Sequence, residues 1–240
     1  MSTPPGPDNQ KLIDQYTEIA KLAGSLAHEI KNPLSTIRLN VELLAEDLAE
    51  GDSPQDRRAL RKVEIVKREC LRLEELLNDF LNFAKAHKLS LEPVDINKLL
   101  GEIIEFYMPR AREAQVEIVE YFANDLPTVR VDRRAFQQAV FNLMLNAQQA
   151  MPQGGQLVIR TRAAANAVAI DLIDTGTGID DETKEKLFDA FYSSKRGGSG
   201  LGLPTTRKII EGHGGLIAMQ SELGHGTQFT IVLPTLTRIS

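Results

Sequence analysis

Tryptophan is absent from the 240 residues, and cysteine occurs once, at Cys70. A lone thiol excludes a disulfide framework and suits a reducing compartment. Long apolar runs are also lacking. None approaches the roughly 18 to 20 residues that a membrane span requires, and the opening MSTPPGPDNQ has neither the basic nor the apolar region of a signal peptide. Nor is there an excess of positive charge. With 28 basic and 33 acidic side chains the formal net charge is −5, which argues against a dedicated nucleic-acid binder. What is present, 42% apolar and 25% charged residues, is a globular composition, and the length accommodates two ordinary domains. A cytoplasmic chain with no membrane segment and no sensor domain is expected.

Residues 1–8 are rich in Pro and Gly and are expected to be disordered. Beyond them Leu12, Tyr16, Ile19, Ala23, Leu26, Ile30, Leu34, Ile37, Val41, Leu44 and Leu48 alternate in steps of threes and fours, a heptad seam. One doubled four, Leu26–Ile30–Leu34, is a stutter that locally unwinds a coiled coil, and Pro33 inside it removes a helical N–H. Gly51-Asp52-Ser53-Pro54 breaks the pattern, with Ser53 placed to cap a second helix and Pro54 at its first position. The second seam runs Val63, Val66, Cys70, Leu73, Leu77, Phe80, Ala84. A lone hairpin of this kind leaves an apolar face wet. Pairing two copies into a four-helix bundle covers it, so a homodimer is expected.

After Leu89 the texture changes to short β-like runs alternating with helices. The patterns predict strands at Val116–Tyr121, Val129–Val131, Leu157–Thr161, Val168–Ile173, Leu216–Gln220 and Thr227–Leu233, and helices at Asn97–Glu113, Arg133–Ala150 and Leu203–His213. This is a second, α/β domain.

Four groups of residues carry chemistry. On an ideal helix turning about 100° per residue, His28 falls opposite the face of Leu26 and Ile30, and Lys31, Asn32 and Ser35 share its outer side. Such a residue reads either as part of a solvated helix face or as a nucleophile, because neighbouring Glu29 can take or orient the imidazole proton. His28-Glu29 also begins the H-E-x-x-H pattern of zinc proteases, but position 32 is Asn, so that site is incomplete. Asn142 and Asn146 stand one turn apart on the Arg133–Ala150 helix. They are either surface residues or neutral amide oxygens for a hard cation that bridges phosphates. Asp174 closes a strand before Thr175-Gly176-Thr177-Gly178, as a turn residue or as an acceptor for an exocyclic amine. Gly197-Gly198-Ser199-Gly200-Leu201-Gly202 opens directly onto a helix, where free N–H groups favour phosphate. No Gly-Lys-Ser/Thr follows, so it is not a Walker loop.

In this order the motifs resemble a sensor histidine kinase of a two-component system, over nearly the whole chain. Leu26-Ala27-His28-Glu29-Ile30-Lys31-Asn32-Pro33-Leu34 resembles the H-box, Asn142 to Ala147 the N-box and Asp174 to Gly178 the G1 box. Phe188-Asp189-Ala190-Phe191 resembles the F-box, Gly198 to Leu203 the G2 box, and Gly224-His225-Gly226-Thr227 the last glycine box. The HEIKNPL and GLGLP wording is most similar to the nitrogen-regulation branch.

The resemblance implies an all-α helical hairpin over 9–89, forming a dimeric four-helix bundle for dimerisation and phosphotransfer. Over 90–240 it implies an α/β sandwich that binds ATP, shared with gyrase, a heat-shock chaperone and mismatch-repair ATPases. It implies that His28 accepts a phosphoryl group from ATP, with Glu29 as general base, and that Asn32 positions water when a phosphorylated partner is dephosphorylated. Asn146 and Asn142 would hold Mg²⁺, and Asp174, with Gly176, Gly178 and Thr227, the adenine. Lys195, Gly198, Gly200, Leu201 and Gly202 would lie over the phosphates. The implied partners are a second copy, a response-regulator receiver domain whose aspartate takes the phosphoryl group, and a separate sensor protein. The alternative is an ATP-gated dimeric scaffold without phosphotransfer.

Overall fold

The computed structural model describes residues 30–49, 53–84, 89–193 and 198–235. Two compact units divide the chain, Met1–His87 with Lys195–Leu201, and Lys88–Ser194 with Gly202–Ser240. The expected disordered residues 1–8, the seam before Ile30 and most of the turn between the two helices lie outside the described residues.

The first unit holds two long helices, α1 over 30–49 and α2 at Pro54–Ala84. Pro33 lies within the helical span of α1. At the head of α2 the expected cap is formed reciprocally: the Asp56 N–H donates to Ser53 Oγ at 3.1 Å, and the Ser53 N–H to Asp56 Oδ2 at 3.2 Å. Two backbone donors of the first turn are thereby satisfied. Leu34 and Ala45 from α1 and Val63 and Cys70 from α2 are buried. The Arg38 guanidinium, 3.0 Å from Glu42 on its own helix, reaches Glu74 on α2 at 3.5 Å. The rest of the seam is only partly covered, and Ile37, Leu44, Val66 and Leu73 stay exposed.

The second unit contains β1 (Glu92–Val94), α3 (Ile96–Glu113), β2 (Val116–Tyr121), β3 (Val129–Val131) and α4 (Arg133–Ala150). After these come β4 (Gly155–Ala164), β5 (Ala167–Asp174), α5 (Asp181–Lys186), α6 (Gly202–Gly212), β6 (Leu216–Glu222) and β7 (Gly226–Pro234). Five strands form a sheet in the order β2-β4-β5-β7-β6, parallel only between β2 and β4, while β1 and β3 pair separately. Alternation decides which face is covered. Leu157 and Ile159 of β4, Val168, Ile170 and Leu172 of β5, and Phe229, Ile231 and Leu233 of β7 are buried in one core with residues of α3, α4 and α6.

On the opposite sheet face Asp171 is wholly buried beneath two arginines. Arg160 lies 2.8 Å and Arg162 3.4 Å from its Oδ2, and the Thr230 hydroxyl donates to Oδ1 at 2.8 Å. Burial by itself pushes this carboxyl up, but the Thr230 and Arg160 hydrogen bonds and the two positive charges hold it below the usual range.

Asp132 caps α4 and anchors the incoming chain. Its Oδ1 accepts from the Ala135 N–H at 3.0 Å and its Oδ2 from the Ser90 N–H at 2.9 Å. These bonds hold its pKa below the ordinary value. Its own N–H donates to His213 Nε2 at 2.9 Å, so His213 Nδ1 carries the ring proton and gives it to the Ile209 carbonyl at 2.7 Å. Among the described residues no helix is long and apolar enough to cross a membrane.

Candidate functional site

The site is assembled from the end of β5, the outer flank of α4 and the first turn of α6. The apolar stripe of α4, with Phe136, Ala139, Val140, Leu143, Met144 and Ala147 buried, fixes the helix on the sheet and leaves Asn142 and Asn146 half-buried on one flank. Asn142 Nδ2 donates to the Gly202 carbonyl at 3.2 Å. The amide at the N-box helix is thus tied to the residue that begins α6. Thr206, wholly buried one turn later, donates its hydroxyl to the same carbonyl at 2.9 Å.

Asp174 ends β5 with its side chain buried, and its Oδ1 accepts from the Gly176 N–H at 2.8 Å. Across the β5–β7 ladder it faces Thr227, also buried. The loop after Asp174 is pinned at both ends: the Thr177 N–H donates to the Ala150 carbonyl at the foot of α4 at 3.0 Å, and the Ile179 N–H to Ser221 Oγ at 2.9 Å. Ser221 gives its own proton to the Gly226 carbonyl at 2.8 Å, so the 2.9 Å contact between Ser221 Oγ and Thr227 Oγ1 takes its proton from Thr227.

Two glycines are required here by space as well as by backbone angle. Gly178 has φ +68° and a methyl on it would strike the Glu222 carbonyl; Gly226 has φ +90° and a methyl would strike the Asp174 carbonyl. Motifs about 50 residues apart in the chain therefore meet backbone to backbone.

Asp174, Gly176, Gly178 and Thr227 are brought together, and Asn142 is joined to Gly202. Asn32 is exposed on α1. Leu201 is buried, Gly200 adopts φ +66° and Gly198 is exposed. His28, Glu29 and Lys195 lie outside the described residues. In the F-box segment Phe188 stacks against the Arg207 guanidinium, whose carbon stands 3.9 Å from the ring centroid. Ser221 and Thr206 carry no signal in the sequence, because their partners are set by packing between distant elements.

The donor set suits a nucleotide with a hard cation. Neutral amides stand one turn apart, a buried carboxylate closes a strand, and a helix N-terminus follows a glycine loop.

Two family models match the chain. Residues 18–88 match the His Kinase A (phospho-acceptor) domain, and residues 131–237 the histidine kinase-, DNA gyrase B- and HSP90-like ATPase. Sensor histidine kinase ZraS of Escherichia coli (strain K12) is 31% identical over 228 residues, 95% of this chain and 48% of ZraS. Sporulation kinase B of Bacillus subtilis (strain 168) is 32% identical over 222 residues, 92% of this chain and 51% of its own. The chain thus spans about half the length of these two relatives.

Among solved structures, full-length ShkA in complex with AMPPNP superposes with a TM-score of 0.72 at 29% identity, covering 92% of this chain and 47% of ShkA. ThkA in complex with the response regulator protein TrrA gives 0.68 at 25% identity, covering 97% and 66%. A phospho-acceptor domain and an ATPase domain of this kind stand here in one polypeptide, with their motifs in order, and the chain belongs to the sensor histidine kinases of two-component systems.

Proposed function

We propose that this chain is the catalytic core of a kinase that phosphorylates itself on His28 from ATP and passes the group to an aspartate of a response regulator. The observation that carries the reading is the pairing, in one chain, of a phospho-acceptor domain that contains His28 with a site built from Asp174, Gly176, Gly178 and the α4 amides. ShkA was solved with AMPPNP and ThkA with a response regulator. Those properties belong to those proteins, and they support the same pair of ligands here.

In this mechanism a ring nitrogen of His28 attacks the γ-phosphorus. An N–P bond forms as the bond to the β,γ-bridging oxygen breaks, and ADP departs. Glu29 takes the imidazole proton. Asp174 accepts a hydrogen bond from the exocyclic amine of adenine, with Thr227 opposite it on β7. Gly198, Gly200, Leu201 and Gly202, with Lys195, pass over the phosphates. Asn142 and Asn146 would hold Mg²⁺, which would supply positive charge to neutralise the phosphates; the transfer otherwise depends mainly on positioning. Asn32, exposed on α1, orients water for hydrolysis of the phosphorylated regulator. The proposed domains are 9–89 and 90–240, and the wording of the H-box and G2 box favours the nitrogen-regulation branch.

The hairpin works as a dimer in this reading, because Ile37, Leu44, Val66 and Leu73 need a second copy to cover them. A cytoplasmic location, where ATP and receiver domains are found, and a separate sensor protein complete it. The test is labelling from γ-labelled ATP. Wild type is expected to acquire acid-labile, base-stable label that His28→Ala abolishes and that a receiver domain removes from the wild type. Full labelling of His28→Ala would overturn the assignment, and ATP binding with no label in the wild type would favour the scaffold.

A further inference from the structure

An asparagine amide has a donor end and an acceptor end of nearly the same shape, and its neighbours decide which way it faces. At Asn142 both neighbours accept. The Gly202 carbonyl, 3.2 Å from Nδ2, has nothing to donate. The Thr206 hydroxyl, 3.4 Å from Nδ2, has given its one proton to that same carbonyl at 2.9 Å, so it too presents a lone pair to Asn142. The NH₂ end must therefore face α6, and Oδ1 faces away from it. Thr206 is wholly buried, so water does not take over its role. Its neighbours in the helix, Pro204, Ile209 and Ile210, are buried as well, and packing alone would be served by valine.

The geometry points to Thr206 as a positioning residue for the cation that accompanies the nucleotide. Its hydroxyl, directly and through the Gly202 carbonyl, locks the Asn142 amide with Oδ1 turned away from α6. In this role Thr206 acts only through the Asn142 amide and the Gly202 carbonyl. The inference rests on the reading that the α4 asparagines serve Mg²⁺-bound nucleotide. It adds a residue outside the six motifs, one that acts as outer partners of metal ligands do by fixing the ligand's orientation. It also gives Gly202 a second duty: its carbonyl, just past the glycine loop, is the acceptor on which the amide is aligned.

The test uses the full chain as wild type, Thr206→Val, Thr206→Ala and Thr206→Ser, with AMPPNP affinity measured by calorimetry in saturating Mg²⁺ and again in EDTA. Thr206→Val and Thr206→Ala are expected to weaken binding about 3- to 10-fold in Mg²⁺, below the usual outer-partner effect because the Gly202 carbonyl remains. In EDTA they stay within about twofold of wild type, and Thr206→Ser binds like wild type in both buffers. A loss that is equal with and without Mg²⁺, no loss in either, or a Thr206→Ser that behaves like Thr206→Val would each overturn the role. If wild-type affinity itself ignores Mg²⁺, the reading of the asparagines falls as well. If wild type depends on Mg²⁺ and Thr206→Val keeps that dependence intact, only the role of Thr206 falls.

Discussion

The two units solve the burial problem differently. In the α/β unit the apolar stripe of α4 closes against the unit's own sheet, and Phe136, Val140 and Met144 are all 0% exposed. In the hairpin, seam residues of the same chemical kind stay open: Ile37 at 49%, Leu44 at 48%, Val66 at 44% and Leu73 at 52%. A helix laid on a five-stranded sheet has a partner surface wide enough to cover its stripe. Two helices side by side cover only the wedge between them, here Leu34, Ala45, Val63 and Cys70. The α/β unit covers its stripe within a single chain, and in the proposed dimer the hairpin would take its missing layer from a second copy.

The contrast can be broken most severely from the side of the sandwich. Phe136→Ala empties a fully buried ring site and is expected to cost about 3 to 5 kcal/mol. Urea unfolding followed by hydrogen exchange should show the α/β unit losing protection while α1 and α2 keep theirs.

Dilution tests the other half. If the hairpin depends on a second copy, each tenfold dilution removes about 1.4 kcal/mol from its association. Exchange protection of α1 and α2 should then fall with concentration, faster still in Leu73→Glu, while that of α4 and β5 stays constant. Concentration-independent protection in both units would erase the distinction.

The smallest effect concerns Asp171, whose folded-state pKa is lowered. A depressed carboxyl contributes stability that is fully present above the unfolded value, about 4, and is lost as the pH falls through the folded value. Below about pH 4 the α/β unit should lose stability more steeply in wild type than in Asp171→Asn. The hairpin provides the reference in the same samples.

Where the pattern was long and periodic the sequence was legible. The predicted bounds of β2, β3 and α4 coincide with the observed ones, and the remaining predicted strands lengthen by one to three residues at their ends. Two elements escaped. β1 is three residues around Pro93, held by pairing with β3, and no local signal announces a strand fixed by so distant a partner. α5, Asp181–Lys186, is Asp-Glu-Thr-Lys-Glu-Lys, which has no apolar period to read; its cap at Asp180 defines it.

The site divides along the same line. Asp174, Gly176, Gly178 and the two asparagines stand out by residue type and spacing. Thr206 and Ser221 do not, because the bonds that give them meaning cross 64 and 42 positions and exist only once α4 meets α6 and the Asp174 loop meets β6.

The clamp at His213 has a practical consequence for chemists who map phosphorylated imidazoles. One nitrogen of that ring holds a proton engaged by Ile209, and the lone pair of the other is taken by the Asp132 N–H. Neither can reach a phosphorus atom while the domain is folded. A phosphopeptide carrying this residue would therefore report denatured material, and it can be discarded when turnover is counted.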